Sequence, residues 1–189
     1  MEKIELLKKE IEEIIANSFS KTDISHSKTT LEWLLKLKPY ADEALQIAAL
    51  SHDIERGRRE KSNKTEAEKI KDYDKIKEEH SKRSSKIISE LLFKYEFDEK
   101  FIKKVKHLVL NHEVGGDEET NILMDADSLS FFQSNLEYYF EKHESESNMT
   151  YFKIKYMFDR MSEKSKKLAR QFIYENQELN NLFKKVVNT

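Results

Sequence analysis

Residues that break helices are scarce in this sequence, which contains only three glycines and one proline among 189 residues. Charged residues make up 37% of the chain, well above the roughly one quarter that is usual in soluble domains. Lys, Glu and Leu favour helices whereas Gly and Pro interrupt them, so this balance predicts long helices with charged, solvated faces. A β-sandwich or β-barrel would need many more turn residues. We therefore expect an all-α fold.

The absence of cysteine restricts the chemistry that the chain can carry. It excludes disulfides, cysteine-ligated zinc, iron–sulfur clusters and thiol nucleophiles, which leaves His, Asp and Glu as metal ligands. The net charge of −2 provides no overall positive field for a phosphate backbone, so we expect no stable nucleic-acid binding. Charges interrupt every apolar stretch near the N-terminus, which predicts a cytoplasmic protein without a membrane partner.

Helical periodicity indicates a single domain over residues 1–189. Apolar residues recur at intervals of three and four over residues 2–17, which predicts an N-terminal packing helix. The core of the domain is expected at about residues 20–135. Two further helices are expected over about residues 149–187, where they would pack on this core.

Local signals divide the first half of the core into helices. Thr22 or Asp23 can cap a second helix that Pro39 ends. Residues 41–54 form the most apolar and alanine-rich segment, so this third helix is expected to lie deepest. The polar residues 56–82 indicate an exposed loop that leads into an exposed helical stretch.

The second half of the core continues the helical pattern. Asp98 can cap a helix that ends at Gly115 and Gly116, two positions with unusual backbone freedom close to a histidine. Residues 117–140 then predict one long apolar helix.

The candidate chemistry begins with the dipeptide His52-Asp53 on the apolar third helix. A carboxylate among Ala and Leu side chains is costly to bury unless a cation accompanies it. The dipeptide is a weak signal by itself, but other histidines and an aspartate complete the order H…HD…H…H…D. Six residues form this ordered set: His26, His52, Asp53, His80, His112 and Asp127.

This order, together with the Ala-Asp-Ser-Leu context of Asp127, resembles the HD-domain superfamily of metal-dependent phosphohydrolases over about residues 20–135. The resemblance implies a helical bundle with a metal site in its core. It also implies that the first metal is held by His26, His52, Asp53 and Asp127. Asp53 would bridge to a second metal, which the two intermediate histidines, His80 and His112, would hold.

Several other His and Asp residues lie near this pattern. Asp125 is a rival of Asp127 two positions away, and it points about 200° around the same helix. Asp127 is preferred because its setting matches the family pattern. His107 and His143 lie outside the pattern in charged segments and are expected to be solvated.

Arg56 follows Asp53 by three residues and is a candidate catalytic and substrate-binding residue, with Asp53 as its catalytic partner. Its guanidinium can hold a phosphate through two hydrogen bonds, the alternative being a solvated arginine in the run RGRRE. Related phosphomonoesterases carry glutamate here, and several dinuclear members carry lysine. Lys28 and Arg160 are weaker candidates for phosphate contacts, with surface charges as the alternative.

The resemblance implies a cytoplasmic phosphohydrolase in which a metal-activated hydroxide attacks a phosphoester or phosphoanhydride of a nucleotide-like small molecule. The expected cofactor is one or two divalent ions of Fe, Mn, Co or Ni, with Mg as a further candidate. A homodimer is left open. Two alternatives remain: a di-iron oxygenase with the same ligand order, and a module that binds a nucleotide without turnover.

Overall fold

A computed structural model describes residues 2–58, 72–143 and 147–189 of the chain. Every regular element in these ranges is helical, so the all-α prediction is confirmed. In chain order the elements are α1 (Glu2–Ala16), α2 (Asp23–Leu37), α3 (Glu43–Ser51), a 3-10 turn (Ile54–Gly57), α4 (Tyr73–Lys94), α5 (Glu99–Asn111), α6 (Glu118–Ser130), a π-helical turn (Phe131–Asn135), α7 (Leu136–Lys142), α8 (Ser147–Asp159), α9 (Glu163–Ala169) and α10 (Gln177–Val187).

The sequence predicts capping residues for two helices, and the structure confirms the side-chain cap of only one of them. Asp98 caps α5 as expected, since its carboxylate accepts a hydrogen bond from the backbone N–H of Phe101 at 2.9 Å. Thr22 occupies the cap position of α2, but its side chain makes no capping hydrogen bond. Asp23 accepts instead from the guanidinium of Arg56 at 2.9 Å. The start of α2 is therefore connected to the candidate site and is not capped by a side chain.

The third helix is shorter than the predicted range of 41–54. Asp42 caps it by accepting from the backbone N–H of Leu45 at 3.0 Å, and the helix ends at Ser51. The chain then tightens into the 3-10 turn, so that Asp53 occupies the position just before that turn. Asp53 therefore lies just after the end of α3, outside its regular backbone.

Gly57 closes this turn where α1 crosses it. A Cβ atom at Gly57 would lie 1.8 Å from the backbone oxygen of Ile14, far inside van der Waals contact. Only glycine allows α1 to approach the turn this closely. The N-terminal helix therefore braces the segment that follows Asp53.

The expected helix over 117–140 is confirmed as a continuous helical run from Glu118 to Lys142, although its hydrogen bonding changes to the π type at Phe131–Asn135. The prediction of two C-terminal helices was wrong. The C-terminal region holds three helices instead of two, because Ser162 and Asn176 cap α9 and α10 with their side chains. Polar caps separate these helices without Gly or Pro.

The predicted exposed stretch of residues 56–82 is only partly described, since residues 59–71 lie outside the described ranges. Within α4 the prediction was wrong for some residues. His80 is 5% exposed, and the ammonium of Lys77 forms an ion pair with Glu113, which lies two residues after the end of α5. These polar side chains face an internal polar site, which a pattern based on hydrophobicity alone does not reveal.

Two adjacent apolar clusters form the core. One is built mainly from α1 to α6, and the other from the π-helical turn and α7 to α10. Trp33 and Leu37 of α2 pack against both clusters. Helix α2 also packs along α6, and α4 along α5, which brings the histidine-bearing segments together. Within the described ranges, no helix is sufficiently long and apolar to span a membrane.

Candidate metal centre

The structure brings together all six residues that the sequence pattern singles out, and each of them is at most 5% exposed. Their ligand atoms form overlapping groups in which every atom lies within 4.8 Å of the others in its group. Three groups of buried residues arise in this way: His26 with His52 and Asp53, Asp53 with His80 and His112, and His112 with Glu113 and Asp127. Groups with these side chains could hold a metal ion.

The first group has the spacing of ligands around one ion. Nε2 of His26 lies 3.2 Å from Nε2 of His52 and 3.0 Å from Oδ1 of Asp127. Oδ2 of Asp53 lies 3.7 Å from both of these ring nitrogens. Two ligands that each lie about 2.1 Å from a metal are roughly 3.0 to 3.4 Å apart in octahedral or tetrahedral geometry. The separations of 3.2 Å and 3.0 Å fall within this range, and the two of 3.7 Å lie slightly above it.

The second group uses the other oxygen of Asp53. Oδ1 of Asp53 lies 2.6 Å from Nε2 of His80, and the ring centres of His80 and His112 are 5.5 Å apart. Among the described residues, Nε2 of His80 and Nε2 of His112 are buried without a hydrogen-bond partner, and Oδ2 of Asp53 makes no hydrogen bond although it forms an ion pair with Arg56. Buried polar atoms are rarely left in this state. The donor set therefore fits a cation that would satisfy these atoms.

Backbone carbonyls fix the protonation of two of the imidazoles. Nδ1 of His52 lies 2.9 Å from the carbonyl oxygen of Ala49, and Nδ1 of His112 lies 2.7 Å from that of Val109. A carbonyl oxygen can only accept a hydrogen bond, so Nδ1 carries the proton in both rings. Nε2 of the neutral ring then keeps its lone pair for a metal.

Side chains fix the other two imidazoles. The hydroxyl of Ser130 donates to the carbonyl oxygen of His26 at 2.8 Å, so it accepts from Nδ1 of the same residue at 2.9 Å. Nδ1 of His80 donates to the carboxylate of Glu55 at 2.7 Å. A carboxylate behind a histidine orients the ring and raises its basicity as a ligand. All four Nε2 atoms thus face the centre, where they can bind a metal once each ring is neutral.

Arg56 lies against this centre but is engaged by two carboxylates. Its Nη1 donates to Asp23 at 2.9 Å, and its Nη2 lies 2.8 Å from Oδ2 of Asp53. Burial by itself raises the pKa of Asp53, but Arg56 and the neighbouring imidazoles outweigh burial and hold that pKa well below its usual range. The side chain of Arg56 is still 24% exposed. The described contacts show Arg56 orienting Asp53, and its action on a phosphate stays a prediction.

The side chain of Arg160 is only 9% exposed and contacts the centre, so the alternative of a surface charge was wrong for this residue. Its guanidinium pairs with Asp127 and Glu113, and its Nε donates to the hydroxyl of Ser128 at 2.9 Å. Burial raises the pKa of Asp127, but Arg160 and His26 outweigh it and keep the carboxylate charged. Arg160 therefore compensates the negative charge of the ligand group.

Glu113 is a residue of the centre that the sequence reasoning missed. Its carboxylate lies 3.5 Å from Nε2 of His112 and also pairs with Lys77 and Arg160. The only local signal was its position directly after His112. Its cationic partners come from α4 and from the residue that follows α8, so no short motif could reveal the arrangement.

The two rival aspartates of α6 face different partners. Asp127 faces His26, whereas Asp125 accepts hydrogen bonds from the backbone N–H of Ser162 at 2.8 Å and from the hydroxyl of Ser165 at 2.9 Å. The hydroxyl of Ser162 also donates to Asp125. Asp125 thus holds the start of α9, and Asp127 alone of the two joins the ligand groups.

Two other predicted positions lie at the surface. Lys28 is half exposed and pairs with Glu12 of α1 at 2.9 Å, so its described contact leads away from the centre. His107 is exposed as expected and pairs with Asp117 at 2.7 Å. His143 was predicted to be solvated, which is wrong because it is buried with its ring stacked on Tyr139 at 4.2 Å between ring centres.

Comparison with known proteins identifies a family for this chain. A family model described as a domain of unknown function, DUF4202, matches residues 8–183. No curated protein and no solved structure matches the chain. The matched range runs from α1 into α10 and contains all six predicted ligands, so the chain belongs to the DUF4202 family.

Proposed function

We propose that this protein is a metal-dependent phosphohydrolase of the HD-domain type, which acts on a phosphoester or phosphoanhydride of a nucleotide-like small molecule. The observation that carries the proposal is the carboxylate of Asp53, whose two oxygens face two different sets of imidazoles. A carboxylate in this position suits a bridge between two ions. Two ions in hydrolytic sites of this kind are about 3.5 to 4 Å apart.

The donor set supports a divalent first-row metal. It contains only imidazole nitrogens and carboxylate oxygens, a mixture that suits Fe, Mn, Co or Ni, with Mg as a further candidate, and it excludes sites that depend on thiolates. We assign His26, His52, Asp53 and Asp127 to the first ion, and Asp53, His80 and His112 to the second. A bound metal of this kind lowers the pKa of a coordinated water molecule and polarises a phosphoryl oxygen.

The residues of the chain itself prepare this site. Arg56 and Arg160 hold the carboxylates of Asp53 and Asp127 in their charged forms, in which they bind cations. Glu55 fixes the ring of His80 from behind. These partners are themselves packed among helices, so the ligand atoms are in place before a metal arrives.

Turnover of a phosphoester panel by the full-length protein tests the proposal. The panel contains monoesters, diesters and anhydrides of nucleotides, and each is assayed with Mn, Fe, Co, Ni or Mg while elemental analysis reports the bound metal. We expect metal-dependent release of phosphate or of a nucleotide product. Asp53→Asn should abolish it, whereas Asp159→Asn, a change at an exposed carboxylate that pairs with Lys155, should not.

A metal-loaded protein that turns over no member of the panel would contradict the proposal. Oxygen consumption by the iron-loaded protein on an organic substrate would indicate the di-iron oxygenase reaction instead. Binding of a nucleotide with no turnover under any metal would indicate a sensing module.

A further inference from the structure

A cleft of about 250 Å³ opens beside the candidate metal centre. Arg56 and Lys153 line one part of it, and the rings of Phe131, Tyr138 and Tyr139 line another. We call this cavity the Lys153 cleft. Because Arg56 contacts Asp53 as well as the cleft, the cavity adjoins the centre directly.

Lys153 is in an unusual environment for a cation. Its Nζ donates to the hydroxyl of Tyr73 at 2.9 Å and lies 4.9 Å from the ring centre of Phe131. The rings of Tyr73 and Tyr156 are also within 6 Å of it, at 5.6 Å and 5.7 Å. Within the described ranges, no ion pair connects Lys153 to a carboxylate.

This arrangement leaves the charge of Lys153 without a counter-ion. Burial and the nearby cations of Lys77 and Arg160 lower the pKa of Lys153 well below its usual range. Aromatic faces attract a cation only weakly compared with a carboxylate. A positive charge on this half-buried side chain is costly, and an anion that entered the cleft would offset the cost and favour the charged form.

Arg56 offers a second positive group to the same cavity. Each of its terminal nitrogens carries two N–H groups, and the described ion pairs with Asp23 and Asp53 use one on each side. The remaining N–H groups belong to a side chain that is 24% exposed. Arg56 and Lys153 therefore both present positive groups to the same cavity.

We propose that the Lys153 cleft binds the substrate, with a phosphate group between Arg56 and Lys153 and an aromatic ring of the ligand against Tyr138. This inference rests on the proposed function and narrows its substrate class. The cleft is smaller than the roughly 300 to 1,000 Å³ of typical ligand pockets. Its size favours a mononucleotide over a dinucleoside polyphosphate.

Binding of a phosphonate analogue of AMP, which cannot be hydrolysed, tests the proposal by calorimetry on the full-length protein. Lys153→Met keeps the length of the side chain and removes its charge. It is expected to weaken binding roughly ten- to a hundredfold, as befits the loss of a hydrogen bond to a charged group. Lys155→Met is the matched control, because Lys155 lies two residues later on α8 and is exposed. It should bind like the wild type, and Lys153→Arg should retain most of the affinity.

Two further ligands separate the phosphate from the aromatic contribution. Inorganic phosphate should bind more weakly than the analogue and should lose affinity in Lys153→Met but not in Tyr138→Ala. Adenosine should show the opposite dependence. Tyr138→Ala leaves Lys153 in place, so this comparison decides the proposal even where Lys153→Met does not fold.

The proposal is overturned if the wild-type protein binds neither phosphate nor the analogue, or if both variants bind like the wild type. Binding that depends on Lys153 in a protein without turnover would support the cleft and reject the hydrolase. Phosphoester turnover that Lys153→Met leaves unchanged would support the hydrolase and reject the cleft.

Discussion

Oδ1 of Asp53 lies 2.6 Å from Nε2 of His80, without making a hydrogen bond to it. The other oxygen of the same carboxylate faces His26 and His52 at 3.7 Å. One side chain thus lies between two sets of imidazoles that come from different helices and from the ends of helices. The number of metal ions depends on whether these two sets act separately.

Replacing His80 with Ala is expected to remove one of two metal ions while leaving the other bound. His80 contacts Asp53 on the side away from His26 and His52, so only the second ion loses a ligand. Elemental analysis of the purified protein measures the stoichiometry, and circular dichroism reports folding. His107→Ala, at an exposed histidine, is the control. Equal loss of both ions would show that the six ligands form one coupled site.

Glu55→Gln is expected to weaken binding of the second metal by about 10- to 100-fold, the usual effect of losing a charged partner behind a histidine ligand. The carboxylate of Glu55 accepts from Nδ1 of His80, and the amide would keep the shape but lose the charge. Metal titration measures the affinity. Glu79→Gln, at an exposed carboxylate of the same helix as His80, is the control. An unchanged affinity would mean that Glu55 does not support the ligand.

The two aspartates of α6 are expected to have different roles, with Asp125 contributing to stability and Asp127 to metal binding. Asp125→Asn should lower the free energy of unfolding by about 2 kcal/mol, because it weakens hydrogen bonds between a charged group and the start of α9. It should leave metal content unchanged. Asp127→Asn should reduce metal affinity. Urea unfolding and elemental analysis measure the two effects, and the reverse pattern would make Asp125 the ligand.

Arg160→Met is expected to destabilise the metal-free protein by about 3 to 5 kcal/mol, since it removes the guanidinium from the buried carboxylate of Asp127 and leaves Glu113 with Lys77 as its remaining ion-pair partner. A bound metal would supply positive charge to the same carboxylates. The loss should therefore be smaller in the metal-loaded protein. Urea unfolding with and without a chelator measures both values. Equal losses in the two states would show that arginine and metal do not share these partners.

The ion pair between His107 and Asp117 predicts a pH dependence of stability. The hydrogen bond from His107, followed by that from the backbone of Thr120, lowers the pKa of Asp117 from 3.8 to about 2. The folded protein thus favours the charged carboxylate, and its stabilising effect is present above pH 3.8 and lost as the pH falls towards 2.

Asp117→Asn isolates this charge, because Asn also serves as a helix cap. The free energy of unfolding of wild type and variant is compared at pH values from 7 to 3. Their difference should shrink at the acidic end. Asp117 is about half exposed, so we expect a small effect. A difference that grows as the pH falls would contradict the assignment.

The grouping of the six residues in the centre could be predicted because their order along the chain matches a known pattern. Glu113 and Lys153 could not be predicted in this way. Each gains its significance from side chains on other helices, such as Arg160 near Glu113 and Tyr73 near Lys153. Periodicity shows which face of a helix is apolar, but it does not show which polar residues meet in the interior.

The positions of the helix ends could also be predicted only in part from the sequence. The scarcity of Gly and Pro predicts the helical class correctly, but it also suggests fewer breaks than the chain has. Ser162 and Asn176 begin new helices with hydrogen bonds from ordinary polar side chains. Helix α3 ends early because the backbone tightens before Gly57, whose packing against Ile14 involves a distant part of the chain.

The π-helical turn at Phe131–Asn135 also sets the angular relationship between the centre and the cleft. A turn of this type contains one more residue than an α-helical turn. Each residue of a helix advances the direction of the side chains by about 100°. The extra residue therefore rotates Tyr138 and Tyr139 by roughly that angle relative to Asp127, compared with an uninterrupted helix. The inserted residue therefore lets one continuous helical segment direct a candidate metal ligand to one side and aromatic rings to another.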